Sequence, residues 1–327
     1  MLGLPIITGI SGFIPSLTMF FVGWLFMLTT AFFLVEISSW YNRPVNMITF
    51  AKDTLGIGGK LVAWILSIFF LYALMVAYMA LSGNHVTLFF SKIMNIQLPD
   101  WVGTVFFVML FGGLIVSGTK YVDYCNRYLV YALTITFIAL LSFAASQFKA
   151  SLLLTWNPKY TLFTLPIFII SFGFHNMIPV LMKYMNRDRR RVRYSIFFGS
   201  LCIFLIYLIW EIIVLGILPE REIFKSYYMD IDAAQCLTAY LNSSLIGAMA
   251  QLFAFFAILT SFVAQGLSLT NLLSDGFKRL SVNKEDISMC LLALIPPLIF
   301  SLFFPDSFFA SLNFAGGICA VIVYGAL

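Results

Sequence analysis

The chain has 327 residues, is 61% hydrophobic and 10% charged, and has a mean hydropathy of +0.98. A soluble globular domain is about 45–50% apolar and about 25% charged, so this composition places the chain in the membrane class. The formal net charge of +5 comes from basic residues in short loops between apolar runs, which is a topogenic pattern and not a nucleic-acid surface.

In chain order, the opening MLGLPIITGISGF lacks the charged start and cleavage site of a signal peptide, and is too short to span a bilayer as a helix. After this half-length segment at 1–13, apolar runs at 14–38, 60–90, 101–118, 127–148, 160–186, 194–218, 243–274, 287–304 and 307–327 predict nine spans. The loops are short except 39–59 and 219–242, and no linker marks a second domain, so a single polytopic bundle is expected. If loop 39–59 is cytoplasmic, 14 of the 19 Lys and Arg residues lie inside, including Arg43, Lys278, Arg279, Lys284 and the run RDRRRVR. That run serves either as a topology anchor or as a patch for anionic membrane lipid.

Five scattered cysteines (Cys125, Cys202, Cys236, Cys290, Cys319) form no C-x-x-C pair, so neither a metal, a disulfide framework nor another cofactor is indicated. His85 and His175 are the two histidines, and no catalytic triad, paired carboxylates or phosphate loop accompanies them. An enzyme is not expected.

Polar residues within the spans carry the functional information, because lipid tolerates a broken helix only where it faces protein or a wet cavity. The strongest break is SFGFHNMIP, with Gly173, His175, Asn176 and Pro179 in one span. It is either an unwound, ligand-facing segment or a proline-kinked helix whose histidine bonds to a neighbour. MLGLP ends in Pro5 as HNMIP ends in Pro179, and the odd span count sets the two halves in opposite orientation. Paired interruptions in inverted halves point to a transporter's midplane site. Glu36 and Glu211 are candidates for ion coupling, Glu211 nearer mid-span with His175 as a possible partner, and Glu36 near an interface where pairing alone explains it. Thr260 and Ser261 are either oxygen donors for a cation or groups that tie helices together. Tyr72 and Tyr78 either line a cavity or fill the bundle core.

MLGLP, FFLVEIS, YALMVAY, VDYCNR, SFGFHNMIPVLMKYM, IFFGSLCIFLIYLIWEIIVLGIL, LTSFVAQGLSL and PPLIFSLFFPDSFFASLNFAGG follow one another as in the hydroxy/aromatic amino acid permeases. The chain resembles this family, which includes the bacterial tyrosine- and tryptophan-specific transport proteins, along its whole length. The resemblance implies an all-α, leucine-transporter-like fold of the amino acid–polyamine–organocation superfamily. Its five-plus-five inverted repeat would divide at about 1–148 and 160–327, with the first and sixth helices broken. It also implies symport of an aromatic amino acid with a cation, usually H⁺ and alternatively Na⁺, across the bacterial inner membrane. The substrate's ammonium and carboxylate would meet Ser171, Phe172, Gly173 and Phe174, with His175 and Asn176 beyond. Tyr78, Thr260, Ser261 and Phe314 would line the pocket. Relatives carry a Gly-rich stretch before the position of Met1 and a helix after the tenth span, so both termini are expected to be truncated. Some have a lysine near the position of Leu133, where this chain has none. A carrier of serine or branched-chain amino acids, and a carrier-derived sensor, are the alternatives.

Overall fold

The computed structural model describes residues 1–41, 47–94, 97–277 and 287–326, and these contain helices and no strand. Arg43, Lys278, Arg279 and Lys284, counted above for topology, lie outside the described residues.

The opening half-segment is helix α1 (Leu4–Ser11), which begins on Leu4-Pro5 because proline's missing N–H is no loss in a first turn. At Gly12 the chain turns sharply into α2 (Phe13–Trp40) with a φ of 84°. A β-carbon at Gly12 would stand 2.2 Å from the Thr155 carbonyl oxygen, so both the backbone angle and the space require glycine. Next come α3 (Met47–Met94, broken at Gly56), α4 (Asp100–Val116) and α5 (Thr119–Ala144). Short 3₁₀ turns lead to α6 (Leu165–Ser171), which stops at the predicted break, and α7 (Ile178–Tyr184) resumes on Ile178-Pro179. Helix α8 (Arg189–Leu215) starts at Asp188, whose side chain accepts from the Arg191 amide at 3.0 Å, so the basic run is a capped helix start.

The predicted loop 219–242 holds two further helices, α9 (Glu220–Tyr228) and α10 (Ala233–Leu241). Glu220 and Glu222 in the first turn of α9 and Lys225 in its last complement the helix dipole. The chain ends in α11 (Ser244–Phe277), α12 (Ile287–Phe303) and α13 (Phe308–Phe314), the last continuing as wider π-type turns through Ala326.

Among the described residues, seven segments are long and apolar enough to cross a membrane, and the 17-residue helices α4 and α12 are shorter apolar ones. The chain is a multi-pass membrane protein. Its packing agrees: Phe20, Phe107, Phe168, Trp210, Phe253 and Phe262 are fully buried, while Phe33, Met109, Ile135 and Phe198 face outward from mid-helix. Apolar side chains on both surfaces suit a bundle whose solvent is lipid. One end carries the Arg187–Arg193 turn (the basic end); the opposite end carries the α9–α10 hairpin.

Candidate functional site

Near the break between α6 and α7, the backbone leaves helical geometry at Phe172 (φ −110°, ψ 22°). The Gly173 amide bonds back to the Ile170 carbonyl at 3.0 Å, and the Phe174 amide to the Phe172 carbonyl at 3.0 Å, in place of regular helical bonds. The break therefore redirects backbone groups at mid-depth.

A cavity of about 230 Å³ lies beside it. Its walls come from Met1, Leu2 and Gly3 before α1, Tyr78 and Leu81 of α3, and Leu133 of α5. Ile167, Ile170 and Ser171 of α6 and Tyr207 of α8 add a second side. Ala257, Ile258, Thr260 and Ser261 of α11, with Phe308 and Leu312 of α13, close the ring. The lining is mostly aliphatic and aromatic with a few hydroxyls, the composition of a small-molecule site. Tyr78 and Ser261 both carry hydroxyls into this lining. Thr260 donates to the carbonyls of Phe256 and Ala257 at 2.9 and 3.1 Å, so its hydroxyl hydrogen is held by its own helix. Tyr72, paired with Tyr78 in the sequence reading, instead donates to the Leu292 carbonyl at 2.7 Å and ties α3 to α12.

Other candidates lie elsewhere. Phe172 is buried in an aromatic stack with Phe20 (5.2 Å) and Phe204 (6.3 Å), sealing α6 against α2 and α8. His175 lines a second cavity of about 240 Å³ toward the basic end, with Thr30, Phe50, Ala63 and Tyr324. Its Nε2 is 2.8 Å from Thr30 Oγ1, and its ring stacks between Phe174 and Tyr324 at 5.3 and 4.6 Å. Asn176 is exposed beside it. Phe314 is 40% exposed and lines neither cavity, because the turn of α13 that carries Leu312 inward directs Phe314 out. Glu36 sits at the basic end, where Arg189 and Arg193 of α8 grip its two oxygens at 2.7 and 2.8 Å. Glu211 does not meet His175: it is buried against α1, with Oε2 2.6 Å from Thr8 Oγ1.

At the opposite end, the turn 230–233 fastens three cavity-wall elements, which the sequence reading missed. Asp230 accepts from the amides of Phe308 and Phe309 at 2.7 and 3.0 Å, at the start of α13. Burial pushes the Asp230 carboxyl up, and these two amides oppose the shift. Asp232 Oδ1 caps α10 by accepting from Ala234, and its Oδ2 accepts from His85 Nε2 of α3, each at 2.8 Å. The Ala233 amide donates to the Leu2 carbonyl at 3.1 Å. The signal available in MDIDAAQ was an aspartate just before a helix start. Burial also raises the Cys236 thiol, on α10, to about 11.

Among the described residues no cluster of His, Cys, Asp and Glu could hold a metal ion. The family model described as "Tryptophan/tyrosine permease family" matches residues 1–327. The tyrosine-specific transport system 1 of Haemophilus influenzae is 31% identical, over 97% of this chain and 80% of the relative. The same organism's tryptophan-specific transport protein is 29% identical over 97% and 79%. That of Shigella flexneri is 29% identical over 97% and 78%. With the whole chain matched, a helix broken at mid-depth and a mostly apolar cavity beside it, the chain belongs to the tryptophan/tyrosine permease family.

Proposed function

We propose that this chain is a secondary active transporter that carries tyrosine or tryptophan into the cell in symport with a cation. The observation that supports this reading best is the 230 Å³ cavity, where the broken sixth span, the start of α1 and helices α3 and α11 converge. In this reading the amino-acid backbone is held at the interrupted helix around Ser171–Phe174, where backbone groups and helix ends supply partial charges. The ring lies against Ile167, Ile170, Leu133 and Ile258, and Tyr78, Tyr207 and Ser261 offer hydroxyls to its polar atoms. His175 and Asn176 act beyond the break, lining the route between the cavity and the basic end.

The two halves, about 1–148 and 160–327, form the five-plus-five inverted repeat of a leucine-transporter-like fold. Proline-initiated α1 and α7 are the corresponding half helices. The basic end faces the cytoplasm of a bacterial inner membrane, following the positive-inside pattern.

The test is uptake of labelled tyrosine and tryptophan into proteoliposomes containing the chain, with unlabelled serine, leucine and phenylalanine as competitors. Saturable uptake competed by aromatic amino acids and not by serine or leucine is expected. Uptake no greater than that of empty liposomes would overturn the transport reading; competition by serine or leucine would overturn the substrate class.

A further inference from the structure

A carboxyl group in the interior of a membrane bundle is costly unless something there makes use of it. Glu211 is 4% exposed, with Oε2 2.6 Å from Thr8 Oγ1 and no hydrogen-bond partner for Oε1 among the described residues. Thr8 is fully buried, and its hydroxyl lies 2.9 Å from the Leu4 carbonyl as well. One hydroxyl has a single hydrogen to donate and can also accept. With Glu211 ionised, Thr8 donates to the carboxylate. With Glu211 neutral, the carboxyl donates to Thr8, which turns its hydrogen to Leu4. Both protonation states find a bonded arrangement with no movement of heavy atoms.

A polar seam continues from this pair to the opposite end. Ser16 donates to the Thr8 carbonyl at 2.7 Å, and Ser11 and Ser16 share a hydrogen bond of 2.6 Å. The Asn157 amide donates to the Ser11 carbonyl at 3.0 Å, in the loop that covers Gly12. Between Ser16 and Glu211 lies a void of about 10 Å³, lined also by Thr8 and apolar rings. That is about the size of one water.

The charges around Glu211 leave it without a fixed ion-pair partner. Helix α1 carries no charged side chain. On α2, Glu36 is engaged by Arg189 and Arg193 at the basic end. On α5, Asp123 and Arg127 pair with each other near its basic-end start, beside Lys120. Lys149 precedes the turn 150–154, and Lys183 is at the far end of α7.

We infer that Glu211 is the site at which this chain takes up and releases a proton, reached from the opposite end along Ser11 and Ser16, with Thr8 as the hydroxyl that serves both states. The inference rests on the transport reading with H⁺ as its cation, and adds the residue that carries the proton and the route to it. Because Thr8 belongs to α1 and Glu211 to α8, protonation reverses the bond that joins α1, which follows the cavity-lining residues Met1 to Gly3, to the bundle.

Infrared difference spectra of the purified, reconstituted full chain, taken across a pH series without substrate, test this directly. A protonated-carboxyl band that titrates in the unaltered chain and is lost in Glu211→Gln is expected. Thr8→Val keeps the carboxyl and removes its hydroxyl partner, and should change the half-titrating proton concentration by roughly tenfold. A band that persists in folded Glu211→Gln overturns the assignment, and where that variant does not fold a band that titrates unchanged in Thr8→Val overturns it. Uptake of labelled tyrosine or tryptophan under an imposed pH gradient is measured in parallel. Uptake with an unaffected band removes the proton site and leaves the transport reading standing. A band that behaves as expected without uptake does the reverse.

Discussion

Removing Asp232 should loosen the α9–α10 hairpin without unfolding the bundle. Its Oδ2 and His85 Nε2 meet at 2.8 Å, with side-chain exposures of 0% and 3%. Its Oδ1 accepts from the amides of Ala234 and Gln235 at 2.8 and 3.3 Å. Asp232→Ala costs about 1 kcal/mol for the lost helix cap. It adds about 1–3 kcal/mol for stranding the buried imidazole. A local destabilisation of about 2–4 kcal/mol raises the open population roughly 30- to 700-fold, at about 1.4 kcal/mol per tenfold. Cys236 on α10 reports it, being 4% exposed and held by burial at about 11, so that it reacts when the hairpin lifts. The assay is the rate of modification of Cys236 by a membrane-impermeant maleimide, read by peptide mass spectrometry, in Asp232→Ala, His85→Ala and the double variant. Both single variants should speed labelling, and the double variant should fall well short of the product of the two effects. Labelling within twofold of the unaltered chain in Asp232→Ala would refute the idea that this turn fastens the opposite end.

Gly316→Ala should destabilise the fold severely, since its β-carbon would lie 2.1 Å from the Pro166 carbonyl oxygen and force α13 away from α6. A loss of about 1–3 kcal/mol or more is expected, read as a lower midpoint of thermal unfolding in detergent. Glu36→Gln should cost less than about 1 kcal/mol by the same measurement, because the pair with Arg189 and Arg193 is 35–49% exposed. Tyr78→Phe removes a hydroxyl from the cavity wall and should weaken half-saturation of tyrosine uptake by roughly fivefold, since a hydrogen bond is worth about 1 kcal/mol.

Much of this was legible because lipid forces a simple code on sequence. The predicted spans at 14–38 and 194–218 became helices at Phe13–Trp40 and Arg189–Leu215, since long apolar runs have no alternative to helix in a bilayer. The break at Phe172–Phe174 was legible because Gly173 and Pro179 weaken a helix locally. Which side of a helix a residue faces was not. Tyr72 and Tyr78 look equivalent in sequence, yet one bonds to α12 and the other lines the cavity, because neighbouring helices set the rotation. Glu211 could be singled out as a buried acid, but its partner is set by α1, 203 positions away, and not by the nearest histidine in the sequence. The turn 230–233 escaped for a related reason: its partners Leu2, His85, Phe308 and Phe309 come from distant parts of the chain.

The two cavities and what divides them bear on how such a chain could work. The first is walled toward the opposite end by Phe308 and Leu2, which the turn at 230–233 holds through Asp230 and Ala233. The second lies toward the basic end, lined by the C-terminal part of α2 and the N-terminal part of α3 with His175 and Tyr324. Between them stand Phe172, locked into the α2–α8 aromatic stack, and Phe174, stacked on His175. Ser171 lines the first cavity and His175 the second, so the four-residue step between them is the partition. A continuous helix there would resist local rotation, because each turn is bonded to the next. The break replaces those bonds with short-range ones to the Ile170 and Phe172 carbonyls. His175 meets α2 and the turns after α13 at this step, through its Thr30 bond and its Tyr324 stack.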